Sequence, residues 1–287
     1  MKKDLLEKYP SWVHELKSIN RNLTLTNDLD SLISCSLLSH LFGLKINYFY
    51  SFNKISQLNQ SDQRQSIGVD CALKQGLCFD NHVTMLDFTS YINPLSANIN
   101  AIESVNRNRY TDKFAMSTLI QLWSLYNLPL PSTLEGKMIL LCIDVGFKAY
   151  YDEEFRPIFL SYLEQLEMME LAEVLESHIR DQMYDFMLNH ELDSGIIMRN
   201  SGELSIYTTG NNPNSFLYGL DLKWIGKHLG FNIELPQGVF DVIERFETRT
   251  IDWHELNQKT IDRAFSYAFI NKNKIMISLK ENRHEGN

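Results

Sequence analysis

The stretch "LTLTNDLDSLISCSLL", Leu23 to Leu38, begins like a buried strand and ends like a helix, with Asp28 and Asp30 at the joint. A strand tip running into a helix start is where an α/β protein exposes polar groups beside the carboxyl end of its sheet, and where ligands sit. Either acid also suits the N-cap of a helix beginning near Ser31, because an Asp carboxylate accepts from free N–H groups there. One acid is enough for a cap. The second asks for another explanation.

Working outward, residues 22–144 alternate short apolar runs with helix-like stretches. "NLTLTN", "LKINYFY", "QSIGVDCAL" and "GLCFDNHVT" read as strands, the last two parted by residues 74–76. "DSLISCSLLSHLFG" reads as a helix closed by Gly43, "SANINAIESVN" and "DKFAMSTLIQLWSLYN" as helices, and "PSTLEGKMILLCIDVGFKAYY" as a helix capped by Ser132 or Thr133. That alternation indicates an α/β layer structure on a mainly parallel sheet with flanking helices. Good helix formers with apolar residues three and four apart then fill residues 152–192, which read as one or two long connecting helices, started or kinked at Pro157. From Asp193 the strand-like "GIIMRN", "ELSIYTT", "FNIEL", "YAFIN" and "KIMISL" give a smaller α+β part, with a helix near Leu222 to His228 and a frayed tail. The expected organisation is therefore 1–152, a helical connector over 153–192, and a substrate-binding C-terminal domain over 193–287.

Composition narrows the function classes. Of 287 residues, 44% are hydrophobic and 22% charged, ordinary for a soluble globular protein. No segment approaches the roughly 20 apolar residues of a membrane helix, and the start "MKKDLLEKYPSWVHEL" lacks the apolar core of a signal peptide, so the expected location is cytoplasmic. Cys35, Cys71, Cys78 and Cys142 form no C-x-x-C pair and read as buried free thiols. A formal charge of −9 argues against a reader of duplex DNA. It leaves room for a metal-dependent phosphoesterase, since divalent cations supply positive charge locally.

Four apolar runs end in acid or histidine: Asp28 with Asp30, Asp70, Asp80 with His82, and Asp144, the last at a strand end or within a helix. In a parallel sheet such ends lie side by side, so the six residues can converge. Carboxylates gathered without basic partners repel, and a cation relieves the repulsion. Carboxylate and imidazole donors suit manganese first and magnesium second, and a pair of such ions suits phosphoryl transfer.

"TNDLDSL", "GVD", "FDNH" followed by "YINP", and "LLCID" resemble, in order and spacing, the four motifs of the DHH phosphoesterase superfamily. The likeness spans roughly residues 22–150, and Asn93–Pro94 resembles the exonuclease-like branch in particular. It implies a site made of Asp28, Asp30, Asp70, Asp80, His82 and Asp144, in which Asp28, Asp30, a bridging Asp70, His82 and Asp144 hold two divalent ions. Two positions depart from the pattern. Thr24 stands where many members carry a histidine, and Asn81 stands where the third motif usually has one, so an oxygen or amide ligand would replace an imidazole. The function this implies is hydrolysis of a short oligonucleotide, a single-stranded nucleic-acid end or a cyclic nucleotide by an activated water. The alternative is a non-catalytic module that binds a nucleotide or a protein through a decayed site. No membrane partner is expected, and the reading leaves room for a homodimer.

Asp80 reads as an acceptor that steadies a ligand or as a turn cap. The other histidines, His14, His40, His178, His190, His228, His254 and His284, show no ligand-like spacing and read as structural. "NRNRYTDK", with Arg107, Arg109 and Lys113, is a basic cluster that is either a solvated loop or a contact for substrate phosphate. "EQLEMMELAE" reads as helix packing. The glycine-rich, histidine-containing motif usual in the second domain of that superfamily is missing. Gly210, Asn211, Asn212 and Asn214 are the poor substitute, a plain turn or a substrate loop.

Overall fold

Leu23 and Leu25 are fully buried in β1 (Asn22–Leu25), the strand from which the sheet is built. In this computed structural model, which describes residues 1–208 and 220–281, the chain is an α/β protein. After β1 come β2 (Ile46–Tyr50), β3 (Lys54–Gln57), β4 (Ser66–Val69), β5 (Cys78–Asp80), β6 (Ser96–Asn98), β7 (Gly195–Met198), β8 (Leu204–Tyr207), β9 (Asp241–Asp252), β10 (Ala264–Asn271) and β11 (Lys274–Lys280). Nine of these form one sheet in the order β10-β11-β9-β3-β2-β1-β4-β5-β6, and β7 pairs with β8 alone.

The run β2-β1-β4-β5-β6 is parallel throughout. From β2 the sheet continues antiparallel through β3, β9, β11 and β10. The C-terminal strands thus extend the same sheet, and they curl back over it. Tyr267 and Phe269 of β10 donate backbone N–H groups to the carbonyls of Ala72 and Val83, at 3.2 and 2.8 Å. A second apolar cluster, including Val83, Val105, Tyr267, Phe269 and Ile275, fills that junction. Tyr50 joins the halves too, its hydroxyl lying 2.6 Å from the hydroxyls of both Ser266 and Ser278.

Strand order decides where a site can form. The chain leaves β1 for β2 on one side, then returns to place β4 on the other side of β1. Beyond the carboxyl ends of β1 and β4 the connections diverge, and that split opens a crevice. The helix Leu29–Phe42, between β1 and β2, is buried along all of Leu29 to Leu38, covered by the sheet and by the helix Thr118–Leu125. Gly43 closes it in the left-handed conformation, φ 71°, which a residue without Cβ adopts freely.

The expected one or two long helices after Tyr150 are three: Arg156–Gln165, Glu170–Glu176 and Arg180–Asn189. The chain breaks at Glu167, φ 58°, and again at Ile179, which is extended. Each break turns an apolar face inward: Leu166 and Met168 at the first are buried, and the last two helices pack on the helix Leu134–Cys142. Among the described residues no helix is long and apolar enough to cross a membrane. All four cysteines are free and buried.

Candidate metal centre

Asp28 and Asp30 each cap a helix, but different ones. Asp28 is the N-cap of Leu29–Phe42 and accepts the Ser31 N–H at 3.0 Å. Asp30, in the first turn of that helix and 4% exposed, reaches across to the start of Thr118–Leu125. There it accepts the N–H groups of Thr118 at 2.7 Å and Leu119 at 2.9 Å, one on each oxygen. Free N–H groups at a helix start carry partial positive charge, so this end is a natural seat for a carboxylate.

Asp70 follows β4 with φ 55°, a left-handed turn that a residue with a side chain adopts rarely. Its backbone N–H is held by the Phe79 carbonyl at 2.9 Å, and its carboxylate accepts the Thr118 hydroxyl at 2.9 Å. Ser31 ties the two strand ends together, accepting from Thr26 N–H and donating to the Val69 carbonyl, both at 2.8 Å. Asp80, fully buried at the end of β5, accepts the Asn98 side-chain amide at 2.7 Å, and its other oxygen lies 2.7 Å from His82 Nδ1. That contact places the Nδ1 proton toward Asp80 and leaves Nε2 as the ring's second donor atom. Asn98 also donates to the His82 carbonyl at 2.8 Å.

Asp70, Asp80 and His82 each offer a ligand atom, all within 4.8 Å of one another, a group that can hold a metal ion. His82 Nδ1 is 4.0 Å from Asp70. Asp144 joins from the segment after the helix Leu134–Cys142, where it and Val145 are both left-handed, φ 56° and 54°. A β-branched residue in that conformation is strained, by about 1–3 kcal/mol. The strain turns the chain so that Asp144 lines one cavity of about 170 Å³ with Asp28 and Asp30.

The acids feel one another. Burial, then the Asp70 carboxylate, pushes Asp28 up to about 7. Burial pushes Asp70 up to about 6, with His82 opposing and Asp144 adding to the rise. Asp144, though exposed, is raised to about 6 by desolvation where it packs and by Asp28, with His82 and Lys113 opposing. Asp30 is raised well above the carboxylate range by burial and then by Asp70, Asp144 and Asp28. Burial alone would lower the His82 imidazole, but Asp80, with Asp70 and Asp144 behind it, carries it to about 10. Negative charge crowded into low dielectric favours any bound cation.

The six residues read from the sequence are therefore brought together, with distinct settings. Asp70, Asp80 and His82 form the group that can hold an ion, Asp28, Asp30 and Asp144 line one cavity coupled to it through the repulsion between Asp28 and Asp70, and both oxygens of Asp30 are engaged by backbone N–H groups. Asn81 is buried, its side-chain N–H donating to the Met116 carbonyl and its backbone carbonyl accepting from the Asn100 amide. It braces the loops under the site. Of the basic cluster, Arg107 stacks on Trp253 at 3.6 Å and Arg109 pairs with Asp112 at 2.9 Å. Lys113 acts on Asp144. Gly210, Asn211, Asn212, Asn214 and His284 lie outside the described residues.

Sequence reasoning missed Thr118, Asn98 and Ser31, which hold the acids in place, and Leu192, Asp193 and Ser194, which wall the acidic cavity. A polar residue ending the short β6 was the available signal for Asn98. Nothing in the sequence pointed to Ser194, brought in when the β7-β8 hairpin docks: Gly195 bridges to Asp28, and Ile196 N–H donates to the Asn27 carbonyl at 2.7 Å. A side chain at Gly195 would collide with the Tyr207 ring, 2.4 Å from the position of its Cβ. Comparisons with protein-family models, with curated proteins and with solved structures find no match.

Proposed function

We propose that this protein is a metal-dependent phosphodiesterase acting on a short oligonucleotide, a single-stranded nucleic-acid end or a cyclic nucleotide. The observation that carries the reading is the convergence of Asp28, Asp70, Asp80, His82 and Asp144 beyond the β1/β4 split, with three carboxyls pushed to about 6 or 7. Such a donor set, rich in oxygen, with one imidazole and no thiolate, fits manganese or magnesium. Asp28, Asp70, His82 and Asp144 would hold the cations, with Asp30 contributing through whatever lone pairs its backbone contacts leave. When bound, the ions supply positive charge for the phosphoryl oxygens and make water acidic enough to attack at neutral pH.

The chain's own residues do the rest. Asp80 fixes the His82 ring and its tautomer, so Nε2 keeps one direction. Thr118 restrains Asp70, and the helix start restrains Asp30, which limits reorganisation during turnover. The resemblance to the DHH phosphoesterases supports the same reading, and the net charge of −9 favours small or single-stranded substrates over duplex DNA. The test is hydrolysis of bis-p-nitrophenyl phosphate by chelator-treated protein with manganese, magnesium or no ion added. Ion-dependent turnover that vanishes in Asp70→Ala is expected. Absence of turnover with every ion, alongside tight nucleotide binding, would favour a binding module.

A further inference from the structure

A second cavity, of about 240 Å³, opens beside the acidic site and is unlike it in chemistry. Its walls are apolar, the rings of Tyr110, Phe155, Phe159 and Tyr162 lining it together with Met116, Ile158 and two alanines. Both tyrosine hydroxyls are already engaged, Tyr162 with the Asp112 carbonyl at 3.0 Å and Tyr110 with Lys113 Nζ at 3.2 Å. What the walls offer a ligand is ring surface. Nothing in the packing requires a void here, because an empty apolar space forfeits contacts its lining could make.

Shared lining residues link the cavity to the acidic centre by way of a third opening. Ala115, Ala149 and Phe155 also wall an opening of about 360 Å³ that reaches Asp144, Lys148 and Arg180. Asp144 and Val145 in turn line the acidic cavity with Asp28 and Asp30. Three cations thus stand along the path: Lys113 in the aromatic cavity, Lys148 and Arg180 at the opening. Asp144 and Asp152 line the same opening, so along this path the three cations exceed the acids by one, a balance suited to a single anionic group.

We propose that the aromatic cavity is a nucleobase subsite, holding one base of the substrate against its rings while Lys113, Lys148 and Arg180 guide the attached phosphate toward Asp144. This deepens the phosphodiesterase reading and rests on it for the direction of the phosphate. Flat aromatic rings suit any base, because every base has a face to stack. The volume lies below the ~300–1,000 Å³ of pockets for drug-sized ligands, which matches one ring system and excludes a long acyl chain. Recognition of this kind tolerates sequence, so the cavity selects for the presence of a base more than for its identity.

The test is titration calorimetry on the intact, chelator-treated protein with adenosine 5′-monophosphate and with ribose 5-phosphate, which keeps the phosphate and lacks the base. The nucleotide is expected to bind at least about tenfold more tightly, and Ala149→Leu, which fills the cavity, should abolish that preference. Phe155→Ala, which removes a ring from the shared wall, should reduce it in the same direction, and serves if the first variant does not fold. Equal affinity for the two ligands, no binding of the nucleotide, or a preference untouched in a folded variant would overturn the subsite. Hydrolysis of bis-p-nitrophenyl phosphate reports on the parent reading separately. A base preference without turnover refutes catalysis and keeps the subsite, and turnover without a base preference does the reverse.

Discussion

Asp28→Asn neutralises the first acid while keeping its cap, and so separates repulsion from helix capping. Asn serves about as well as Asp at an N-cap, so the Ser31 N–H keeps an acceptor. Burial and Asp70 carry the native carboxyl from its ordinary 3.8 to about 7. At ~1.4 kcal/mol per pH unit, ionising it in the folded protein opposes folding by roughly 4 kcal/mol above pH 7. That figure includes the repulsion from Asp70, which the variant relieves as well, while it loses ~0.5 kcal/mol of favourable charge at the helix start. The net expectation at pH 8, without cations, is a variant about 3 kcal/mol more stable than the native chain, a rise of roughly 6 °C in Tm for a protein of this size. The sign follows from proton counting: between pH 4 and 7 the native fold binds more protons than the unfolded chain, so it loses stability as pH rises. His82 adds to the same slope in both proteins, since a raised imidazole stabilises fully below 6.5 and loses that contribution as pH climbs through about 10. The assay is thermal unfolding of chelator-treated protein from pH 4 to 8. A variant less stable than native at pH 8, or an advantage that does not shrink toward pH 4, would refute the crowded-carboxylate argument.

Asp30→Ala should behave oppositely and destabilise by about 1–3 kcal/mol, because two buried N–H groups lose their acceptors; urea unfolding measures it. Asn81→His should leave manganese affinity unimproved and lower stability by about 1–3 kcal/mol, since the Met116 carbonyl loses its donor, as calorimetry and unfolding would show. Asp80→Asn should bring the His82 pKa down from about 10, read from the ring-proton shifts in NMR, and weaken metal binding ~10- to 100-fold.

Four of the five parallel strands were legible because they are short, apolar and bounded by polar residues, as a doubly covered sheet requires; β6 was not, since "SANINAIESVN" reads as a helix, whereas Ser96–Asn98 pairs with β5 and only Ile99–Ile102 is helical. Asp28, Asp70 and Asp80, which follow or end β1, β4 and β5, were found that way. Strand β9, twelve residues long, was not. Its "DVIERFETRTID" has Phe246 as its one fully buried side chain, so neither face shows an apolar alternation, and only backbone pairing with β3 and β11 places it. The breaks at Glu167 and Ile179 were equally silent, since no Gly or Pro marks them. "FNIEL" forms no strand: Phe231 and Ile233 are buried as a loop against the core. Asn81 shows the limit at the site itself, for a motif position says which residue is near a metal and not which way an amide turns.

The most direct test of the metal centre is calorimetric titration of manganese into chelator-treated protein at pH 6 and at pH 7, in buffers of different ionisation enthalpy, which counts the protons released. Ligands must shed protons to bind a cation, and here His82, raised to about 10, and Asp28, raised to about 7, hold them at neutral pH. Binding with at least about one proton released at pH 7, and more at pH 6 as Asp70 and Asp144 become protonated, is the expected result. No binding, or binding that releases no protons and persists unchanged in Asp70→Asn, would contradict it.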